Sequence, residues 1–225
     1  MADKRPRRSA KDFAKRFGWE AEDIIVRDPS GKIIDISKKP DEPITDQIFS
    51  SLIRELFDVP IMSNLSRPHY VERMVAIGLG EGFRITSADW AGWDIEGPKG
   101  LRIEVKQSAA RQTWTARPSL AGKPTTGSFD IAPRKGYFSE GGSKWVPKPG
   151  RHAHIYILAW HPIADETEAD HRDPAQWLFF IVPAKQLPQD QKTISRTVVE
   201  KRWSAVRFEQ LRERTLNTSK KLLKD

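Results

Sequence analysis

Charged side chains of one predicted β-hairpin are the residues of this chain best placed to do chemistry. The stretch GWDIEGPKGLRIEVKQS, residues 92–108, has apolar residues at every second position on both sides of a Pro-Lys-Gly turn, a pattern typical of two paired strands. Its polar face carries Asp94, Glu96, Glu104 and Lys106. Two carboxylates can hold a divalent metal ion through their oxygens. A lysine beside them can orient a metal-bound water or stabilise charge on a phosphate.

The turn determines which residues of this hairpin face each other. A three-residue turn, with its glycine in the left-handed conformation, pairs Ile95 with Ile103. Asp94 then lies opposite Glu104, with Cβ atoms about 5 Å apart. A shift of one residue would bury charge, so the pattern selects this register. Two facing carboxylates destabilise a sheet unless positive charge lies between them, and Lys106 together with Mg²⁺, or Mn²⁺ as its substitute, would meet that need.

Other interpretations of these patterns remain open. About two acid-x-Lys triplets are expected by chance in a chain of this composition, and two occur, at residues 104–106 and 190–192. The hairpin and the facing carboxylate favour the first triplet, but an exposed, salt-bridged sheet face would show the same pattern. His152 and His154 form a His-x-His pair, which is a second candidate metal site, although no carboxylate follows at a recognisable spacing.

The surrounding elements predict an α/β fold with a mixed sheet. Residues 23–36 predict an N-terminal β-hairpin, and the segment GFRITSA predicts a strand before the charged hairpin. Residues 153–160 and 176–183 are continuous apolar runs, as expected for strands covered on both faces. Predicted helices lie over residues 45–56, 68–79, 109–114 and 206–215.

Charge and composition narrow the class of partner. Residues 1–16 carry +5 and residues 192–225 carry +6 of a net charge of +8, which leaves −3 for the residues between them. Basic ends on a slightly acidic body suit a nucleic-acid ligand, although solvated tails would look the same. The chain has no cysteine, which excludes disulfides and thiol catalysis and favours a cytoplasmic protein. No apolar run approaches the ~20 residues of a membrane helix, so we expect no membrane partner.

The charged hairpin and the helix before it resemble the PD-(D/E)xK nuclease superfamily, which has a restriction-endonuclease-like fold. The signature of that family is an acidic residue on one strand and acid-x-Lys on the next, often with a glutamate on the preceding helix. Asp94, Glu104 and Lys106 match the signature, and Glu72 in YVERMVAIGL matches the helix glutamate. Tryptophan, not proline, precedes Asp94. The resemblance covers residues 68–107 well.

This resemblance implies a restriction-endonuclease-like core, with a central mixed β-sheet flanked by helices, and a Mg²⁺-dependent endodeoxyribonuclease activity. Asp94, Glu104, Glu72 and Lys106 would be the catalytic residues. The three carboxylates would bind the metal, and Lys106 would orient the attacking water. DNA is the implied partner, and a homodimer stays open. The alternative is a catalytically inactive nucleic-acid-binding module on the same fold, with a protein–protein scaffold as a third hypothesis.

The stretch at residues 108–150 is expected to form a wall of the substrate cleft. It leaves the signature strand directly and is rich in basic residues, and long irregular segments in compact domains are often functional. The candidate nucleic-acid-binding residues are Gln107, Ser108, Arg111, Arg134, Lys135 and Lys144. The chain then divides into a basic tail with a hairpin extension at 1–44, a nuclease-like α/β domain at 45–218, and a C-terminal tail at 219–225.

Overall fold

The computed structural model describes residues 26–27, 33–34, 42–86, 91–116, 123–139 and 143–222. The chain divides into two compact units, Met1–Ile53 and Arg54–Asp225. In the first unit β1 (Val26–Arg27) and β2 (Ile33–Ile34) pair antiparallel, as predicted for the N-terminal hairpin. The turn of that hairpin and the predicted basic tail lie outside the described residues.

Two helices precede the sheet. The first, α1 (Glu42–Phe57), begins three residues before Thr45, with Pro43 in its first turn. Proline is favoured there because its missing N–H would have no partner within the helix. The second, α2 (Arg67–Leu79), has a proline in its first turn and ends at Gly80, whose φ is 74°. Glycine adopts this left-handed conformation without steric cost, so the helix terminates there as predicted.

The central sheet of the second unit is mixed. The remaining strands are β3 (Arg84–Ile85), β4 (Ile95–Gly97), β5 (Leu101–Ala109), β6 (Ser128–Asp130), β7 (Tyr137–Ser139), β8 (Lys144–Val146), β9 (Ile155–His161), β10 (Leu178–Pro183) and β11 (Thr193–Ser195). The sheet has the order β10–β9–β5–β4–β3. Strands β5 and β9 are parallel, whereas the other neighbours are antiparallel. The predicted α/β class with a mixed sheet is confirmed.

Both faces of this sheet are covered. Two more helices follow the strands, α3 (Arg196–Arg202) and α4 (Leu211–Leu222). On one face, Val71 of α2 and Leu211 of α4 join the apolar core of the sheet. On the other face, Phe129 of β6, Ile194 of β11 and Val199 of α3 join a second core. This coverage explains why β9 and β10 are continuous apolar runs in the sequence.

The structure corrects several predicted elements. Residues 109–114 do not form a helix, because β5 continues to Ala109 and only a 3-10 turn, Thr113–Ala116, follows. The final helix lies at Leu211–Leu222 rather than at residues 206–215, since Val206 is held in an antiparallel bridge to Phe179 of β10. The helix therefore extends into the segment assigned to the C-terminal tail. None of the described helices is long and apolar enough to cross a membrane.

Candidate active site

The predicted register of the charged hairpin is confirmed. Strands β4 and β5 pair Ile95 with Ile103, as the alternating pattern required. The turn between them has Gly100 at φ 71°, in the expected left-handed conformation. Lys99 shares a positive φ of 58°, which the sequence did not indicate. This turn and the alternation of apolar residues therefore set the position of every charged side chain on the hairpin.

Asp94 departs from the simple cross-strand arrangement. The strand ladder ends at Ile95, and the Asp94 carboxylate turns toward β5. Its Oδ2 accepts a hydrogen bond of 2.7 Å from the backbone N–H of Val105. Its own backbone N–H donates to the carbonyl of Ile103 at 2.9 Å. The carboxylate is thus anchored to the backbone of the residue that follows Glu104.

Glu104 is a buried carboxylate held by two cations. Its side chain is 9% exposed, and its Oε1 accepts a hydrogen bond from Lys106 Nζ at 2.5 Å. The guanidinium of Arg134 lies 3.8 Å from the same oxygen. Lys106 therefore does lie beside the paired carboxylates, as the spacing predicted. Arg134 is thirty residues away in the sequence and reaches this site only because the chain folds back.

The pKa values of the site residues show that several carboxylates lie close to one another. Burial and the neighbouring Glu104 and Glu72 raise the pKa of Asp94 to about 7, against the opposing effect of Lys106. Burial also raises the pKa of Glu72, and Glu104 raises it further. Burial lowers the pKa of Lys106, but the Glu104 and Asp94 carboxylates outweigh that effect, so its pKa lies above the ordinary value. Lys106 is consequently a protonated cation at neutral pH, and the pKa of Asp94 shows how poorly the site tolerates one more negative charge.

The donor set fits a divalent cation. Among the described residues, the hydrogen bonds and ion pairs of these carboxylates use one oxygen each, Oδ2 of Asp94 and Oε1 of Glu104, which leaves the second oxygens for another ligand. Mg²⁺ is commonly held by one or two carboxylates together with waters and phosphate oxygens. No three His, Cys, Asp or Glu side chains of the described residues are grouped so that they could hold a metal ion by themselves. The negative charge of Glu72, on α2, acts on Asp94, and the role of Glu72 as a metal ligand stays a prediction.

Three of the candidate nucleic-acid-binding residues are partly or fully buried and contact other parts of the protein or lie against them. Gln107 lies on the face covered by α2, where it accepts a hydrogen bond of 2.6 Å from Nε of the buried Arg67. Ser108 is 8% exposed. Arg111 is equally buried and forms an ion pair with Glu166. Gln107 and Arg111 thus support neighbouring segments in this conformation, and DNA contacts by these three residues stay a prediction.

The other three candidates lie on one segment or at its base. Arg134 and Gly150 exchange two backbone hydrogen bonds of 2.9 Å, which close the segment at its base. We call the residues between them, 135–149, the arm. Lys135 and Lys144 lie on the arm and are exposed, and Arg134 stands at its base beside Glu104. The arm therefore begins and ends beside the Glu104 carboxylate, and its role as a wall of a substrate cleft stays a prediction.

An aromatic cluster beside Asp94 was missed by the sequence reasoning. The ring centroid of Tyr137 lies 5.8 Å from that of Trp93 and 4.5 Å from that of His152. The guanidinium of Arg102 stacks over Trp93 at 4.9 Å. These residues come from separate segments, so no local pattern signals the cluster. His154 instead contacts Arg102 through both ring nitrogens, at 3.1 and 2.9 Å, and thus the two histidines are engaged separately rather than as a metal-binding pair.

Comparisons with protein families and with curated proteins do not suggest a function for this chain. No protein-family model matches the chain. Curated proteins likewise give no significant match. Any function is therefore argued from the side chains themselves.

Proposed function

We propose that this chain is a metal-dependent nuclease of the PD-(D/E)xK type that hydrolyses phosphodiester bonds of DNA. The observation that carries the proposal is a pair of carboxylates, the half-buried Asp94 and the buried Glu104, which are held at strand β5 beside the protonated Lys106. A salt-bridged surface would be solvated, whereas the Glu104 side chain is only 9% exposed. Burying this much negative charge is unfavourable for the fold alone, which points to a role in binding a cation.

The proposed roles follow from the contacts of each side chain. Asp94 and Glu104 would hold Mg²⁺ through the oxygens that their present hydrogen bonds leave free. A bound metal ion of this kind polarises a phosphoryl oxygen and lowers the pKa of a coordinated water. Lys106 would hold the attacking water or the phosphate by donating a hydrogen bond. Glu72 adds negative potential that strengthens cation binding.

The arm supports DNA as the substrate. Its exposed lysines, Lys135, Lys144 and Lys148, lie on a segment whose base is at the carboxylates. Lysines that neutralise phosphates release counterions and give salt-dependent affinity for nucleic acid. Cations beside an acidic metal site allow a polyanion to approach it, because they offset the repulsion from the carboxylates. The same arm would serve the alternative function, a binding module without catalysis.

Cleavage in the presence of a divalent metal tests the proposal. Purified protein is expected to cut end-labelled single-stranded or duplex DNA with Mg²⁺ or Mn²⁺, to lose that activity with excess EDTA, and to regain it when Mn²⁺ is restored. RNA of the same sequence serves as the comparison substrate. Binding of DNA without cleavage under every metal condition would instead establish the inactive module.

Charge removal on the arm should weaken DNA binding in a salt-dependent way. In the triple variant Lys135→Gln, Lys144→Gln, Lys148→Gln, each lost phosphate contact should reduce the slope of log affinity against log salt by about 0.7–0.9. Fluorescence anisotropy in EDTA measures this slope without cleavage, and Arg134 is retained because it contacts Glu104. The matched control replaces three exposed lysines away from the arm, Lys201 of α3 and Lys220 and Lys221 of α4. An equal loss from both variants would show that only net charge matters.

A further inference from the structure

The arm carries an exposed tryptophan, Trp145, whose ring packs against neighbouring residues of the same hairpin. Trp145 of β8 pairs with Phe138 of β7, and the ring centroids are 5.1 Å apart. A Cβ atom on Gly136 would lie 2.6 Å from the indole, so the indole lies directly over the glycine backbone. Even so, Trp145 remains 44% exposed. The ring is therefore positioned by its neighbours while a large part of its surface stays accessible.

The hairpin that carries Trp145 is attached to the segment that carries Asp94. Phe138 forms a parallel bridge with Ala91, three residues before Asp94. On the same strand, Tyr137 packs its ring between those of Trp93 and His152. Together with the backbone bonds that close the base of the arm, these contacts fix Trp145 relative to the carboxylates. A ligand group stacked on the indole would thus be held at a defined place beside the candidate site.

The surroundings of Trp145 indicate what kind of group would stack there. Lys144 precedes it in β8, and Lys135 and Lys148 lie on the same arm, whereas the arm has one acidic residue, Glu140. An exposed aromatic ring on a segment that bears lysines suits a chain that alternates planar rings with negative charges. Nucleic acid is such a chain, and its bases stack on exposed aromatic side chains when they are unpaired. Bases within a duplex already stack on each other, so a single ring on a protein surface cannot stack on them without opening the duplex.

We propose that the arm is a stacking platform, with Trp145 as its contact surface, that binds an unpaired base of single-stranded DNA next to the carboxylates. This inference rests on the proposed function, because it names the form of the substrate that the same site would receive. The lysines of the arm would hold the flanking phosphates. The substrate would then be single-stranded DNA, or a single-stranded segment attached to a duplex.

Binding measurements on Trp145 variants test the platform. We compare a single-stranded, non-self-complementary DNA oligonucleotide with the blunt-ended duplex that it forms with its complement, by anisotropy in EDTA. Stacking on an aromatic side chain contributes about 1–3 kcal/mol per base, so Trp145→Ala should weaken single-strand binding by roughly 5- to 150-fold. Duplex binding should change less than about twofold, and the salt slope should stay the same because no charge is removed. Trp145→Phe should restore most of the affinity.

Trp114 provides the matched control. It is 37% exposed and lies outside the arm, in the turn Thr113–Ala116, so Trp114→Ala should leave single-strand binding unchanged. Equal losses on single-stranded and duplex DNA from Trp145→Ala would overturn the platform, because the indole would then only support the arm. Unchanged single-strand binding would overturn it too. Metal-dependent cleavage that persists in either case would leave the nuclease proposal standing, whereas wild-type protein that neither binds nor cuts nucleic acid would remove both.

Discussion

Replacing Glu104 with glutamine is expected to lower Mg²⁺-dependent cleavage of DNA by about a hundred- to a thousand-fold. Glutamine keeps the size of the side chain but removes the charge that would bind the metal, and the loss of one preorganised electrostatic contact at a reacting centre has effects on this order. Single-turnover cleavage of labelled DNA measures the rate. Lys106→Ala should be impaired to a similar degree, since Lys106 Nζ shares the site through its 2.5 Å hydrogen bond to Glu104.

The same hairpin offers a control for this prediction. Glu96 lies on β4 and forms an ion pair of 3.2 Å with Arg84, whose side chain is 73% exposed. Exposed ion pairs contribute little to stability. Glu96→Gln should therefore cleave DNA at the wild-type rate. Circular dichroism and thermal unfolding verify that each variant is folded, and a folded Glu104→Gln protein with undiminished cleavage would contradict the assignment of Glu104.

Asp94→Asn is expected to abolish cleavage and, at the same time, to stabilise the metal-free protein at alkaline pH. Because the pKa of Asp94 is raised to about 7, ionising it at pH 8 costs the folded state free energy that asparagine does not cost. Asparagine can still accept the hydrogen bond from the Val105 N–H. We expect the free energy of unfolding in EDTA at pH 8 to increase by on the order of 2 kcal/mol.

The pH dependence of this gain follows from the direction of the shift. An unfolded aspartate releases its proton near pH 3.9, whereas Asp94 in the folded protein keeps it up to about pH 7. The wild-type protein therefore loses stability as pH rises through this window, and the benefit of asparagine should be present at pH 8 and gone near pH 4. Urea unfolding at both pH values measures it. Asp190 is an exposed carboxylate from the other acid-x-Lys triplet, and Asp190→Asn is the control. It should leave the free energy of unfolding unchanged at both pH values.

The Asp94→Asn variant distinguishes a side chain kept for function from one kept for stability. A side chain kept for stability would make the protein less stable when it is replaced. Asp94→Asn is expected to do the opposite without metal, because Glu104 and Glu72 lie close enough to raise its pKa. Added Mn²⁺ should stabilise the wild-type protein, since a ligand that binds only the folded state shifts the equilibrium toward it. The asparagine variant should show little of that metal-dependent stabilisation.

The sequence by itself determined the features that depend on neighbours within a few residues. Alternation of apolar and charged residues set the register of the β4–β5 hairpin, because a shift by one residue would bury its charges. Continuous apolar runs predicted β9 and β10 as strands covered on both faces. Proline at the start of α2 and Gly80 after it marked the limits of that helix. The same local pattern brought Glu104 and Lys106 together.

Only the tertiary structure decided which distant residues join this site. Arg134 forms an ion pair with Glu104, and Phe138 of the arm forms a backbone bridge with Ala91 near Asp94. These contacts join segments that are distant in the sequence, so no local periodicity predicts them. Tertiary packing also withdrew Arg111 into an ion pair with Glu166, although its position after the signature strand favoured a DNA contact. The short strands β6 and β11 pair across a long sequence separation, so neither carries a pattern of its own. Contacts of this kind depend on how the whole chain packs, because the partner that stabilises each segment is absent from its local sequence.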